Sequence, residues 1–146
     1  YASGQAGERF AVRNSGSLAI VEGCGAHGCE YMTGGTAIIL GQVGDNFGAG
    51  MTGGMSFVYD ADNTFGNYAN PSSIIWQQVE TDYWKKFLKD SLNDFYKETN
   101  SKIAKKIINN FKNELINFKQ ICPIEMLDKL KNPITSKTEI YKKRAS

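Results

Sequence analysis

No glycine follows Gly66 in this chain of 146 residues, although the chain contains 15 glycines in all. Whatever depends on glycine's conformational freedom is therefore confined to the first part of the molecule. Histidine is nearly absent, with His27 the single example. The three cysteines, Cys24, Cys29 and Cys122, are an odd number with no paired framework, which excludes a disulfide scaffold and fits a reducing compartment. No apolar run approaches the length that spans a bilayer, and the start reads as neither a secretory signal nor an initiator methionine. Tyr1-Ala2-Ser3-Gly4 looks instead like the inside of a repeat, so a piece of a longer protein is expected. A dense basic patch is also missing. Residues 1–75 carry a net charge of −4 and the remainder +6, but the later lysines alternate with Asp, Glu and Asn as on a solvated face. Neither nucleic acid nor a membrane is expected as a partner.

What is present is a period. Tyr31-Met32-Thr33-Gly34-Gly35, followed by Thr36-Ala37-Ile38-Ile39-Leu40, recurs nineteen residues later as Gly50-Met51-Thr52-Gly53-Gly54, followed by Met55-Ser56-Phe57-Val58-Tyr59. A weaker copy, Asn14-Ser15-Gly16-Ser17 with Leu18-Ala19-Ile20-Val21, lies nineteen residues upstream. A fixed period, a glycine corner and a strand-length apolar run predict a mainly β fold: a right-handed parallel β-helix with rungs of nineteen residues, followed by a C-terminal α-helical extension. Gly16, Gly34, Gly35, Gly53 and Gly54 are the expected corner glycines, where bends need positive φ or close backbone approach. Strict spacing stacks Ile20, Ile39 and Val58, and this β-branched row is the expected interior. The rows Ala19, Ile38, Phe57 and Val21, Leu40, Tyr59 are expected to face outward against another layer.

The boundaries follow from changes of period. Residues 1–60 read as rungs, and 61–79 as a connector rich in turn residues such as Asn70-Pro71. Residues 80–133 read as two amphipathic helices packing on the rungs, and 134–146 as a flexible tail. Tyr83, Trp84, Phe87, Leu88, Leu92, Phe95 and Tyr96 share one helical face. Thr99-Asn100-Ser101 marks a break and a new N-cap. The second stripe runs from Ile103 through Phe111, Leu115 and Phe118 to a stop at Cys122-Pro123.

Several apparent motifs lack their context. Gly23-x-Gly25-x-x-Gly28 and Gly48-x-Gly50-x-x-Gly53 match a dinucleotide fingerprint, but strand-like residues, not a helix, follow Gly53. His27 and Cys29 have no third group to orient them as a nucleophilic pair. Cys24, Cys29 and His27 in one turn lack a second ligand cluster for zinc or iron–sulfur. Asp60 and Asp62 read as a solvated turn. No catalytic, cofactor-binding or metal-binding residue is expected.

The longer segments Gly4 to Gly16 (with Glu8-Arg9 and Asn14), His27-Gly28-Cys29-Glu30-Tyr31-Met32-Thr33-Gly34-Gly35, and Asn46-Phe47-Gly48-Ala49-Gly50-Met51-Thr52-Gly53-Gly54 closely resemble the C-terminal glycine-rich β-helix domain of the glutamate synthase large subunit. Ile107-Ile108-Asn109-Asn110-Phe111 resembles that family's terminal helix, and residues 134–146 match nothing in it. The motif residues carried by the resemblance are Glu8, Arg9, Asn14, His27, Cys29, Asn46 and Phe47. The resemblance implies a structural domain of a cytoplasmic oxidoreductase of nitrogen metabolism, or a plastid one in a photosynthetic eukaryote. Its parent converts glutamine, 2-oxoglutarate and reductant to two glutamates. FMN, an iron–sulfur cluster and an NAD(P)H or ferredoxin donor belong to that parent, in regions this chain does not contain. The implied partners are the amidotransferase and FMN-barrel domains, with the small reductase subunit a further one. Two competing readings are a stand-alone β-solenoid subunit of another oxidoreductase, as in formylmethanofuran dehydrogenase, and a β-helix polysaccharide lyase. The second needs carboxylates and basic residues grouped on one strand face, which are missing.

Overall fold

The computed structural model describes residues 15–25, 28–130 and 133–134. Glu8, Arg9, Asn14, His27, the start of the chain and nearly all of the expected tail lie outside the described residues.

Three short apolar runs form β1 (Ser15–Val21), β2 (Thr33–Ile39) and β3 (Gly53–Tyr59), which pair in parallel. The parallel succession stops there. β4 (Ile74–Gln78) and β5 (Phe118–Pro123) complete one five-stranded sheet of order β1-β2-β3-β5-β4, in which β5 is antiparallel to both neighbours. The expected right-handed parallel β-helix is therefore not formed. The chain is a mixed α/β unit built on a single mixed sheet. The physical reason lies in the segments between the parallel strands. Residues 22–32 and 40–52 carry turns and left-handed residues rather than alternating apolar runs, so among the described residues they contribute bridges but no second strand layer. The edge of β3 that a further parallel strand would need is taken by β5.

The register also differs from a uniform period. Ile38 pairs with Phe57, a step of nineteen, but Ile20 pairs with Ile38, a step of eighteen. Because successive strand residues face opposite sides, a slip of one residue moves Ile20 to the other face. Val21, Ile39 and Val58 form the row on one side, while Ile20, Ile38 and Phe57 form the row on the other.

Helices cover the second of these faces. α1 (Asp82–Thr99) begins at Thr81, whose hydroxyl accepts from the Trp84 amide at 3.4 Å. It ends where Asn100 turns left-handed at φ 55°. α2 (Lys102–Asn109) starts at Ser101, whose hydroxyl accepts from the Ala104 amide at 3.3 Å. Leu88, Leu92 and Phe95 of α1 with Ala104 and Ile107 of α2 bury against Ile20, Ile38, Phe57 and Phe118. Of the expected outward rows, Ile38, Phe57, Leu40 and Tyr59 are thus covered by this chain's own helices, while Val21 lies on the loop side. Before β5, helical structure continues through α3 (Phe111–Glu114) and a 3-10 turn, and another such turn, Ile124–Met126, follows β5. Phe118–Pro123, expected as the end of the second helix, is strand β5, and Ile74–Gln78 within the expected connector is strand β4.

Candidate functional site

The other face of the sheet is roofed by glycine-containing loops, and these form a ladder of their own. The amides of Cys24, Gly44, Gly48, Tyr31 and Thr52 donate to the carbonyls of Gln42, Gly25, Gly28, Ala49 and Met32 at 2.9–3.2 Å. Consecutive loops are therefore held by main-chain bonds, much as strands are. Phe47 extends the stack by donating to the Tyr68 carbonyl and accepting from Asn70, both at 3.0 Å. Between roof and sheet lie Met32, Ile39, Met51, Val58, Phe65, Ile74 and Ile121, all buried. Phe65 stands edge-on to both Phe47 and Trp76, with centroids 5.3 and 5.6 Å away.

The expected corner glycines sit inside the strands. Thr33-Gly34-Gly35 and Thr52-Gly53-Gly54 coincide with a break in register, where Gly35 and Gly54 have φ of 77° and 84°. Gly53 permits the closest approach: a Cβ there would lie 2.0 Å from the Thr33 carbonyl oxygen. Gly16 belongs to β1.

Three motif residues fall in this roof. Phe47 and Cys29 are fully buried in one cluster, and Cys29 Sγ lies 3.2 Å from Ser56 Oγ of β3. Asn46 is exposed at φ 60°, a conformation asparagine tolerates, and its carbonyl accepts from the Ala49 amide at 3.2 Å. Cys29 and Tyr31 are also left-handed, at φ 57° and 56°. The signal for these conformations was weak, because neither residue type favours them.

Burial sets the chemistry of the thiols. It pushes Cys29 up to about 12, with the Ser56 hydrogen bond pulling the other way and nearby Cys24 adding to the rise. Cys24 is raised to about 11 by burial, against the opposing hydrogen bond from the Gly44 backbone. Cys122 is raised to about 12 by burial and lies across the sheet, in the helix-side cluster. All three are protonated at neutral pH, and a protonated, enclosed thiol is a poor nucleophile. Because the sheet separates Cys122 from the other two, these cysteines do not fit an iron–sulfur cluster. Among the described residues no three His, Cys, Asp or Glu side chains converge on a metal-sized site.

The second glycine fingerprint fails as a phosphate cradle for an equally local reason. Its amides are committed internally: Gly48 to Gly28, Gly50 to the Ser73 hydroxyl and Gly53 to Met32. Gly53 opens a strand, so no helix N-terminus faces the loop.

A cavity of about 190 Å³ opens beyond the carboxyl ends of β2 and β3, lined by Leu40, Gln42, Val43, Asp60, Phe65 and Ile103 among others. Its buried carboxylate, Asp60, is occupied by the turn that follows. It accepts from the amides of Thr64 and Phe65, each at 3.0 Å, and so orders that turn. Asp60 is thus a structural anchor rather than half of a solvated pair, while Asp62 is exposed. Beside it Tyr59 donates to the Glu114 carboxylate. Burial, then this hydrogen bond, raises the phenol to about 12. On the helix side Ser101 Oγ donates to Glu22 Oε2 at 2.7 Å, tying the start of α2 to the end of β1. Sequence reasoning found the Ser101 cap but not this tie, which joins residues 79 apart.

The GXGXG motif family model matches residues 1–124. The chain is similar to the glutamate synthase [NADPH] large chain of Azospirillum brasilense, with 53% identity over 134 residues covering 92% of this chain and 9% of that protein. It is similar to the ferredoxin-dependent glutamate synthase of Antithamnion sp., with 46% identity over 84% of this chain and 8% of the relative. For the glutamate synthase [NADH] of Schizosaccharomyces pombe the figures are 42% identity, 95% and 7%. The chain spans less than a tenth of the length of each of these relatives.

Proposed function

Because the chain belongs to the GXGXG motif family, we propose that it is the structural, non-catalytic part of a glutamate synthase large chain, holding the amidotransferase and FMN domains of the same enzyme. The observation that carries this reading is the match to the Azospirillum brasilense protein, 53% identical over nearly the whole of this chain. The chemistry of the residues agrees with it. The thiols are enclosed and protonated, and amides of the glycine loops donate to carbonyls of neighbouring loops. The glycines of the register breaks, Gly34, Gly35, Gly53 and Gly54, then serve to bring strands and loops together, and Cys29, Asn46 and Phe47 fix the roof.

In this reading glutamine hydrolysis, the FMN and iron–sulfur chemistry and the donor site lie elsewhere in the parent enzyme. The relatives carry NADPH, ferredoxin and NADH in their names. The apolar rows of the sheet are not available as the docking surface, because α1 and α2 cover them. The loop roof is, with Tyr31 held left-handed and 51% exposed upon it. These relatives favour this role over a subunit of another oxidoreductase.

Replacing the matching segment of the Azospirillum brasilense large chain with this one tests the proposal. Glutamate synthesis is expected to persist, and to disappear when the insert carries Gly53→Val. A folded but inactive chimera contradicts the reading. So does glutamine hydrolysis or flavin absorbance by the isolated chain.

A further inference from the structure

On the outer side of the helix layer, α1 and α3 enclose a shallow groove of about 410 Å³ lined by six residues: Lys85, Lys86, Lys89, Phe111, Lys112 and Leu115. The composition is unusual for a solvated helix face. Lys85 and Lys86 stand about one turn of α1 before Lys89, and Lys112 lines the groove from α3. Half-buried Phe111 and Leu115 form an apolar floor that packs on the helix-side core. Acidic neutralisation is thin. Lys86 meets Asp90 at 3.0 Å, but the two side chains are 78% and 59% exposed, a geometry that contributes little. Glu114, the acidic residue on α3, is engaged with Tyr59 and Asn117. Among the described residues Lys85, Lys89 and Lys112 have no ion-pair partner.

We infer that this groove docks an acidic segment of another polypeptide, with an aliphatic or aromatic side chain of that segment on the Phe111–Leu115 floor. Charge complementarity supplies the argument. Four ammonium groups around an apolar patch attract carboxylates at the rim, while the floor rewards an apolar group at the centre. A nucleic acid fits less well. Phe111 is recessed rather than presented for stacking, and the lysines ring one short groove instead of tracking a backbone. The inference is independent of the role proposed above, since it concerns a surface on the opposite side of the molecule from the loop roof.

Fluorescence anisotropy on the full chain tests it, using a fluorescein-labelled helical peptide of Glu-Glu-Leu repeats as probe. Saturable binding that weakens with added salt is expected, reduced roughly tenfold or more by combined Lys85→Glu, Lys89→Glu and Lys112→Glu. Reversal of Lys97 and Lys129, exposed lysines outside the groove, should leave affinity unchanged. Far-UV circular dichroism confirms that the variants are folded. Should the triple variant unfold, Lys89→Gln and Lys112→Gln together should still weaken binding about threefold. No saturable binding by the wild type, equal binding by groove and control variants, or tighter binding of an oligodeoxythymidine of matched charge would each overturn the inference.

Discussion

The two faces of the central sheet are held by different physics. The helix face is a side-chain assembly, in which Leu88, Leu92 and Phe95 bury on Ile38 and Phe57 and the backbone bonds stay within each helix. The loop face is a main-chain assembly, in which amides of one loop donate to carbonyls of the next and glycines let the backbones approach. Burial tolerates substitutions of similar volume, whereas close backbone approach does not tolerate even one added carbon. A face built the second way is held by the geometry of its main chain rather than by the volume of its side chains.

The sharpest way to break the contrast is Gly53→Val. The added Cβ meets a backbone oxygen at 2.0 Å, which cannot rotate away, so a loss of about 4 kcal/mol or more is expected in urea unfolding. Phe95→Ala, on the opposite face, should cost about 3 kcal/mol through its cavity, and hydrogen exchange should accelerate in α1 before it does in the loop ladder.

Alkaline titration probes both faces together. The thiol pKa values rise from an ordinary 9.0 to about 11 for Cys24 and about 12 for Cys29 and Cys122. The folded state thus holds these protons more tightly than the unfolded one. Their contribution is fully present below pH 9 and is lost progressively as pH climbs toward 11–12. Cys122→Ala should flatten this loss in denaturant titrations at successive pH, leaving the part due to the loop-face thiols and the Tyr59 phenol. Ser101→Ala removes the cap and the tie to Glu22, for about 1 kcal/mol and a melting shift of about 3 °C. Lys86→Ala, at the exposed pair with Asp90, should change stability by less than about 0.5 kcal/mol.

The parts of this fold legible in the sequence were those with local causes. Thr33-Gly34-Gly35 and Thr52-Gly53-Gly54 pair in the parallel order their repetition indicates, and the step from Ile38 to Phe57 is the period itself. The step from Ile20 to Ile38 is one residue shorter, and no local pattern announces the missing residue, so Ile20 and Val21 lie on the sides opposite to those the strict period predicts. Phe118 extends the helical spacing of Phe111 and Leu115, which masked the alternation of Phe118, Gln120 and Cys122 toward the helices with Ile121 toward the loops. That β5 inserts between β3 and β4 is a tertiary choice, and it is what ends the parallel series. At the site, the left-handed Cys29 and Tyr31 and the role of Asp60 were not legible, since the first two depend on how the loops stack and the last on the turn through Thr64 and Phe65.

Native-state amide exchange tests the central contrast most directly. If the loop roof is a main-chain ladder, the amides of Cys24, Tyr31, Gly48 and Thr52 should be protected nearly as well as those of β2, although they lie in loops. Exchange at those four amides as fast as in an unstructured chain, with β2 still protected, would contradict the account.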